Sequence, residues 1–277
     1  MLREVGKIYA RAFRMMFNRP VFMYLTASYY LYSLIYYVLL KYIPLGVVTV
    51  VRLIDWVVDA IFSFGVPIVF ILIVFREEEV VRLKSVVLEA RGYFWKYIGQ
   101  SFAGTFLAFL FTIPFFFVFL FIYLFEKNVL PLLAWWFVVG YLAMGTIGLA
   151  SRLLVDSGSG LFKNAIAGVR MLNGHFRFFA TLYLIQIAIY IINLSLRLLI
   201  GSAITGTGLS SVSTASLNTI SKGLGLIMQT PVVLIYDLVV QTFLFPASNI
   251  LLTFAFLRYK NRDSLTRAVE QSISTKN

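Results

Sequence analysis

Residues 97–125 read YIGQSFAGTFLAFLFTIPFFFVFLFIYLF, a stretch of 29 residues without a charged side chain. An uncharged apolar run of about 18 or more residues is long enough to cross the hydrocarbon core of a bilayer as a helix. Comparable runs occupy residues 21–40, 60–75, 128–151 and 178–196, and a last one ends at Leu257. The sequence therefore predicts an all-α, polytopic membrane protein with six transmembrane helices. They are expected at roughly 20–40, 55–75, 97–125, 129–151, 178–197 and 231–257.

The composition supports this class of protein. Hydrophobic residues make up 60% of the 277 residues and charged residues only 13%, whereas soluble domains have about 45–50% and about 25%. Cysteine is absent, which excludes disulfides and thiolate chemistry. The net charge is +12, but the basic residues flank apolar runs. We therefore expect anionic membrane lipids as partners, and no nucleic acid.

The distribution of Lys and Arg predicts the orientation. If residue 1 lies on the cytoplasmic side, 19 of the 24 basic residues fall in cytoplasmic segments and five fall outside. Such an excess of basic residues in loops normally marks the cytoplasmic side. The prediction is a multi-pass protein of the cell membrane with both ends of the chain in the cytoplasm. The five outer residues are Lys41, Arg52, Lys127, Arg197 and Lys222.

Each odd-numbered span follows a stretch that resembles an amphipathic surface helix, at residues 3–18, 77–91 and 161–173. Ser159 is the expected N-cap of the third helix, and Gly92 and Gly174 are expected to end the second and third. The pattern suggests three hairpin repeats, at 1–75, 76–151 and 152–257, with a cytoplasmic tail at 258–277. The alternative is that short cytoplasmic loops share these features without repetition.

A resemblance to a known family rests on short motifs. Leu154-Val155-Asp156-Ser157-Gly158 is followed by a helix, by Asn173-Gly174-His175-Phe176 and by an apolar span, and Pro246 precedes a closing stretch at residues 253–259. This arrangement resembles a broad family of bacterial and archaeal membrane proteins related to the membrane domain of some glycerophosphodiester phosphodiesterases. The resemblance implies a loop at Leu154–Gly158 and the six-span fold, but no reaction. The chain has no counterpart of the phosphodiesterase catalytic domain.

The residues that carry chemistry elsewhere are scarce. His175 is the single histidine, so metal sites built on histidine pairs are excluded, and no cofactor is expected. We expect His175 to lie at the membrane interface. The sequence Gly158-Ser159-Gly160 before a helix is typical of either an anion-binding turn or a flexible capped linker.

Charged residues in or near the spans form a predicted outer polar cluster. It contains Arg52, Asp55, Asp59, Arg197, Asp237 and Gln241. Because charges in hydrocarbon are costly, such residues usually pair or face water. Polar stripes at helical spacing, one from Tyr183 to Arg197 and one from Thr230 to Ser248, indicate faces that contact other helices. The cluster is either an ion-pair and hydrogen-bond network that includes an Arg52–Asp55 pair, or a substrate or proton site.

Residues 200–223 are rich in Ser, Thr and Gly and are expected to form an external loop. Residues 224–233 are apolar and contain Pro231. They are either a re-entrant segment or the start of the sixth span.

The expected function is that of a non-enzymatic membrane protein with a scaffold, partner-binding or lipid-organising role. A small transporter or channel that uses the outer polar cluster is the alternative, and a lipid-acting membrane enzyme is the least favoured reading. Further partners are another membrane protein or a second copy of the chain. The basic residues expected to face lipid headgroups are Arg11, Arg14, Arg19, Lys96, Arg177 and Arg258.

Overall fold

The computed structural model describes residues 2–40, 42–76, 82–126, 130–205 and 230–274, and within these ranges the regular structure is entirely helical. The helices are α1 (Leu2–Asn18), α2 (Val21–Leu40), α3 (Leu45–Ala60), π1 (Ile61–Gly65), α4 (Val66–Arg76), α5 (Leu83–Glu126), α6 (Leu130–Ala143), π2 (Met144–Leu149), α7 (Ala150–Ser157), α8 (Leu161–Gly174), α9 (Phe176–Thr205) and α10 (Pro231–Ser274). The labels π1 and π2 denote short π-helical segments. The predicted all-α class is confirmed.

Within the described residues, five helical stretches are long and apolar enough to cross a membrane. They are Gly46–Arg76, Leu83–Leu124, Ala134–Ser157, Phe176–Ile204 and Pro231–Lys260. They correspond to five of the six predicted spans and are compatible with a multi-pass membrane protein. Helix α2 is 20 residues long and uncharged, but six tyrosines lower its hydropathy and it does not belong to this set.

Several predicted boundaries were wrong. Helix α5 continues through Gly92, because a glycine inside a long helix costs only about 1 kcal/mol and does not end it. The helix that contains Leu154–Ser157 runs to Ser157, so the predicted loop begins only at Gly158. Residues 200–205 are helical rather than part of a loop. The second span begins before residue 55, at Gly46.

Other boundaries follow from familiar helix signals. Gly158 adopts a left-handed conformation with φ 62°, and its N–H donates to Leu154 O at 3.0 Å, which ends α7. Gly174 ends α8 as predicted. Pro231 is the first residue of α10, a position where its missing N–H has no cost. The predicted loop residues 206–223, the segment 224–229 and the predicted surface-helix residues 77–81 lie outside the described residues.

The π-helical segments coincide with proline and glycine. Pro67 is the second residue after π1, and a proline removes one N–H and clashes with the carbonyl four residues earlier. Segment π2 has the sequence MGTIGL, in which Gly145 and Gly148 permit close approach by other helices. A π-helical turn widens the backbone spacing, and its carbonyls then need other donors.

The chain divides into two compact units. Unit 1 consists of Met1–Ala12, Phe64–Tyr183 and Asn249–Asn277, and unit 2 consists of Phe13–Ser63 and Leu184–Ser248. In unit 1, helix α4 is buried from Pro67 to Val74 on all sides, as expected for a helix without a polar face. In unit 2, Phe62 stacks on Tyr29 with ring centroids 3.7 Å apart and contacts Phe245 at 4.8 Å.

Unit 1 is built around π2. A Cβ atom on Gly168 of α8 would lie 2.1 Å from Gly145 O, and one on Gly104 of α5 would lie 2.4 Å from Thr146 O. Both glycines therefore permit backbone-to-backbone contact that any side chain would prevent. Helix α8 packs its small residues inward and leaves Phe162 and Ile166 exposed.

Helix α1 differs from the expectation of a helix that rests its apolar face on lipid. Val5, Ile8 and Ala12 recur at helical spacing and are 1%, 6% and 1% exposed. They therefore belong to the protein core of unit 1, while Lys7 and Arg11 on the other face are exposed. The apolar side of α1 is buried within the protein.

Candidate functional site

The predicted outer polar cluster contains an ion pair in unit 2. Arg197 on α9 lies 2.6 Å from Asp237 on α10, with side chains 19% and 14% exposed. Arg197 Nε and Asp237 Oδ1 have no hydrogen-bond partner among the described residues. The same two helices are joined by Tyr236 Oη, which donates to Asn193 Oδ1 at 2.9 Å, and by Gln186 Nε2, which donates to Ser248 Oγ at 3.2 Å. The predicted polar stripes therefore contain residues that hydrogen-bond across this contact.

The two aspartates of α3 face tyrosines of α2 in unit 2. Tyr29 Oη donates to Asp59 Oδ1 at 2.5 Å. Tyr32 and Tyr36 lie within hydrogen-bonding reach of Asp55. The tyrosines follow i, i+3, i+7 spacing and the aspartates i, i+4 spacing, so one face of each helix carries the polar groups. These tyrosines were not predicted as members of the cluster, although their periodicity within an otherwise apolar run was a usable signal.

The other two members of the predicted cluster have weaker roles. Arg52 is exposed and lies near Tyr36, and it does not appear in the ion pairs of the described residues. The expected Arg52–Asp55 pair is therefore not part of the structure as described. Gln241 is half-buried. The structure brings together Arg197 with Asp237, and Asp59 with Tyr29, as two separate contacts.

A buried arginine in unit 1 was not predicted as a site residue. Arg152 is 2% exposed and donates to Gly148 O at 2.9 Å and to Asn249 O at 3.1 Å. It also contacts Asn249 Oδ1 and Thr253 Oγ1, both at 3.3 Å. Within the described residues, no carboxylate forms an ion pair with Arg152. Its guanidinium instead donates hydrogen bonds to oxygens of neutral groups.

Arg152 belongs to a set of donors that saturate π2. Gln100 Nε2 donates to Thr146 O at 3.2 Å, and Ser151 Oγ donates to Ile147 O. Together with Arg152 on Gly148 O, three successive carbonyls of π2 accept side-chain hydrogen bonds. Buried carbonyls without partners are costly, so these side chains stabilise the irregular turn. We assign Arg152 a structural role in this contact.

A cavity of about 430 Å³ opens in unit 1, where α8 ends and α9 begins. Its residues are Glu4, Asn173, Gly174, His175, Phe176, Arg177, Phe178 and Tyr259. The His175 ring lies on Tyr259 with centroids 4.0 Å apart, and Tyr259 also contacts Phe178 at 4.9 Å. Arg258 Nη2 lies 2.7 Å from Glu4 Oε1 at the same place. The expected interfacial histidine is thus part of a cavity with charged and aromatic residues.

The residues predicted to face lipid headgroups have different surroundings. Arg14, Lys96 and Arg177 are exposed, and Arg19 is half-buried. The Arg11 guanidinium lies over the Phe254 ring, 4.4 Å from its centroid. Arg258 is paired with Glu4. Five of the six are therefore exposed, and two of these five, Arg11 and Arg258, have identified partners within unit 1.

The turn before α8 forms differently from the prediction. The N-cap residue is Gly160, not Ser159, and it makes no side-chain capping bond. Ser159 Oγ instead donates to Asn164 Oδ1, while Asn164 Nδ2 donates to Ser159 O at 2.9 Å. The reciprocal bonds fix the turn with a side chain from inside α8. The turn at Gly158-Ser159-Gly160 is therefore held by bonds between Ser159 and Asn164, without a side-chain N-cap.

Tyr9 on α1 is a further buried polar group. Burial raises its pKa to about 12, and its hydroxyl has no hydrogen-bond partner among the described residues. Within the described ranges, no group of three or more His, Cys, Asp and Glu residues is arranged to hold a metal ion.

Comparison with known proteins gives no assignment. No protein-family model, no curated protein and no solved structure matches the chain.

Proposed function

We propose that the chain is a non-enzymatic protein of the cell membrane that organises anionic lipids on its cytoplasmic side. In this proposal it crosses the bilayer six times as three hairpins, with α2 as the first span and both ends in the cytoplasm. The excess of Lys and Arg on one side of the predicted spans supports the orientation. A lipid environment suits helices α5 and α9, whose most apolar windows are only 11% buried within the protein.

The proposal depends on the fact that charged side chains in the predicted spans form ion pairs or hydrogen bonds within the protein. Arg197 meets Asp237, Asp59 accepts from Tyr29, and Arg152 is bonded to carbonyl, amide and hydroxyl oxygens. Each of these contacts joins residues of different helices, apart from the bond to Gly148. Groups used in this way stabilise helix packing. This favours a structural role for these charged residues, so that the exposed basic residues are the ones available to bind lipid.

The exposed basic residues supply the attraction to lipid. A Lys or Arg near an anionic membrane surface contributes about 1 kcal/mol of binding free energy. Arg14, Lys96 and Arg177 are exposed and lie in segments predicted to be cytoplasmic. Phe162 on α8, which also lies in a segment predicted to be cytoplasmic, is 55% exposed and offers apolar surface. A protein of this kind is expected to enrich anionic lipid around itself.

The test measures the lipid composition next to the protein. The full chain is placed in nanodiscs of equal phosphatidylglycerol and phosphatidylcholine, and contact with spin-labelled lipid of each type is measured. We expect enrichment of phosphatidylglycerol, and loss of enrichment when Arg14, Lys96 and Arg177 are all changed to Gln. The matched control changes Arg52 and Lys222, on the predicted outer side, to Gln. Equal contact with both lipids, or hydrolysis of either lipid by the purified protein, contradicts the proposal.

A small transporter or channel is the second candidate. Asp55 and Asp59 are both half-buried beside tyrosine hydroxyls, and the Arg197–Asp237 pair has unsatisfied hydrogen-bonding atoms among the described residues. Residues of this kind inside spans are often part of an ion or proton path. Flux of protons or monovalent ions into proteoliposomes, reduced by Asp59→Asn and by Asp237→Asn, supports this function. Flux equal to that of empty liposomes excludes it for these ions.

A further inference from the structure

We infer that the cavity between the end of α8 and the start of α9 binds the phosphate group of an anionic lipid headgroup, and this rests on the proposed function. The cavity lies entirely within unit 1 and has a volume of about 430 Å³. Binding sites for small ligands typically have volumes of about 300–1,000 Å³. The space is therefore adequate for a phosphate with part of a glycerol or headgroup.

The charges around the cavity favour an anion. Arg177 lines the cavity and is exposed, so its guanidinium can make the bidentate contact that phosphate oxygens accept. Glu4 also lines it, but Arg258 lies 2.7 Å from the Glu4 carboxylate and offsets its charge. The two arginines outnumber the one acid among the charged groups at this place. The contact with Tyr259 fixes the position of the His175 ring at the cavity.

The backbone contributes donors to the same place. Helix α9 begins at Phe176 and has 30 residues, so its first N–H groups have no intrahelical partner. Phe178 N and Phe179 N donate to His175 O at 3.0 Å and 3.2 Å. The backbone N–H groups of Phe176 and Arg177, the first two residues of α9, are therefore the ones that their position leaves without an intrahelical acceptor. Both residues line the cavity. The N-terminus of a long helix adds a favourable field for an anion.

The apolar part of the cavity favours a lipid over a free phosphate ion. Tyr259 is only 4% exposed and, with Phe178, forms an aromatic side of the cavity. Phe176, which is 56% exposed, also lines it. A hydrated phosphate ion gains nothing from these rings, whereas the glycerol and first acyl carbons of a lipid bury apolar surface against them. The chemistry of the lining thus matches a phosphate attached to an apolar stem.

The experiment measures binding of short-chain phosphatidylglycerol and short-chain phosphatidylcholine to the full chain in a neutral detergent. We expect phosphatidylglycerol to bind at least about tenfold more tightly, because a lost charge-assisted hydrogen bond changes affinity by roughly that factor. Arg177→Gln is expected to weaken phosphatidylglycerol binding about tenfold or more. The matched control is Arg170→Gln, which removes an exposed arginine of α8 that does not line the cavity, and we expect less than about a threefold change.

A second pair of variants tests the geometry in the opposite direction. Glu4→Gln removes the acid at the cavity and releases Arg258, and we expect tighter binding by about threefold to tenfold. Asp156→Asn makes the same change in net charge at an acid that is paired with Lys260 and does not line the cavity, and it is expected to have little effect. All four variants change side chains that are not buried, and an unchanged unfolding temperature verifies that each variant folds.

Three outcomes overturn the inference. Equal effects of Arg177→Gln and Arg170→Gln mean that binding depends on diffuse charge and not on the cavity. Displacement of the lipid by inorganic phosphate or glycerol phosphate at similar concentration excludes the lipid as the source of the phosphate. Equal binding of the two lipids excludes recognition of the anion. The first outcome leaves the proposed function standing, whereas a chain with the opposite orientation in the membrane refutes that function even if Arg177 binds lipid in detergent.

Discussion

Arg152 in unit 1 and Arg197 in unit 2 show two ways of keeping an arginine between apolar helices. Arg197 meets a carboxylate at 2.6 Å, and the pair is incompletely hydrogen-bonded. Arg152 is more deeply buried and is bonded to four oxygens of uncharged groups, three of them on α10. The first arrangement balances charge, and the second replaces water with fixed dipoles. The two arginines should therefore respond differently to substitution.

The largest expected effect comes from removing one partner of the charge pair. Arg197→Met leaves Asp237 buried without its countercharge and is expected to lower the free energy of unfolding by about 3–5 kcal/mol. The double variant Arg197→Met/Asp237→Leu removes both charges and is expected to come within about 1 kcal/mol of the natural chain. Thermal unfolding in detergent measures both. A double variant less stable than Arg197→Met contradicts the idea that the pair is held by its charges.

The next effect concerns the packing that surrounds π2. In Gly168→Ala, the added Cβ would lie 2.1 Å from Gly145 O, so the backbones of α8 and π2 must separate. We expect a loss of about 3 kcal/mol, because overpacking at backbone atoms cannot be relieved by a side-chain rotation. The matched control is Gly92→Ala in α5, where no heavy atom lies within 4 Å. That control should gain about 0.5–1 kcal/mol, and equal stabilities of the two variants are inconsistent with the close contact.

Substitution of Arg152 should lower the free energy of unfolding by an intermediate amount. Removing an acidic residue as well should not restore the lost stability. Arg152→Met leaves Gly148 O without its side-chain donor and is expected to cost about 1–3 kcal/mol. Because the surrounding groups are neutral, adding Asp237→Leu should contribute its own loss independently. Unfolding of the single and double variants gives the coupling energy. A coupling above about 1 kcal/mol would mean that Arg152 and Asp237 are not independent.

The smallest effect concerns Tyr9, whose buried hydroxyl has no hydrogen-bond partner among the described residues. Its pKa is raised from 10.0 to about 12. Because the unfolded chain releases this proton at a lower pH than the folded chain, the contribution of the neutral hydroxyl to the free energy of unfolding is fully present below pH 10. It is lost as the pH rises toward 12. Tyr9→Phe is expected to change stability by less than about 1 kcal/mol at pH 7, since no hydrogen bond is lost. Between pH 10 and 12 the variant should lose less stability than the natural chain, which unfolding curves at both pH values can measure.

The contrast between the arginines also shows what the sequence can reveal. Arg197 and Asp237 lie on polar stripes of helical period, and the stripes predicted their contact with other helices. Arg152 follows an apolar run, where an arginine usually extends to the interface, so nothing in its neighbours indicated burial. Its environment depends on the π-helical carbonyls and on Asn249, about 97 residues away along the chain. That relation exists only after the helices pack.

The two glycines that were expected to end helices lead to the same conclusion. Gly174 ends α8, but Gly92 lies inside α5, although similar aromatic and basic residues follow both. Local sequence predicts a helix end only weakly when the helix on either side is strongly favoured. The long apolar runs were predictable because their length and composition fix their conformation in lipid. The cavity at His175 was not, because it requires Glu4 and Tyr259 from distant parts of the chain.

Orientation in the membrane is the central claim, because it brings the exposed arginines and the cavity to the anionic leaflet. The natural chain has no cysteine, so a single cysteine at Ser211 or at Ser274 can be labelled without background. With a membrane-impermeant maleimide on intact cells, we predict that the Ser211→Cys variant reacts and the Ser274→Cys variant reacts only after permeabilisation. Labelling of the Ser274→Cys variant in intact cells would contradict the proposed orientation.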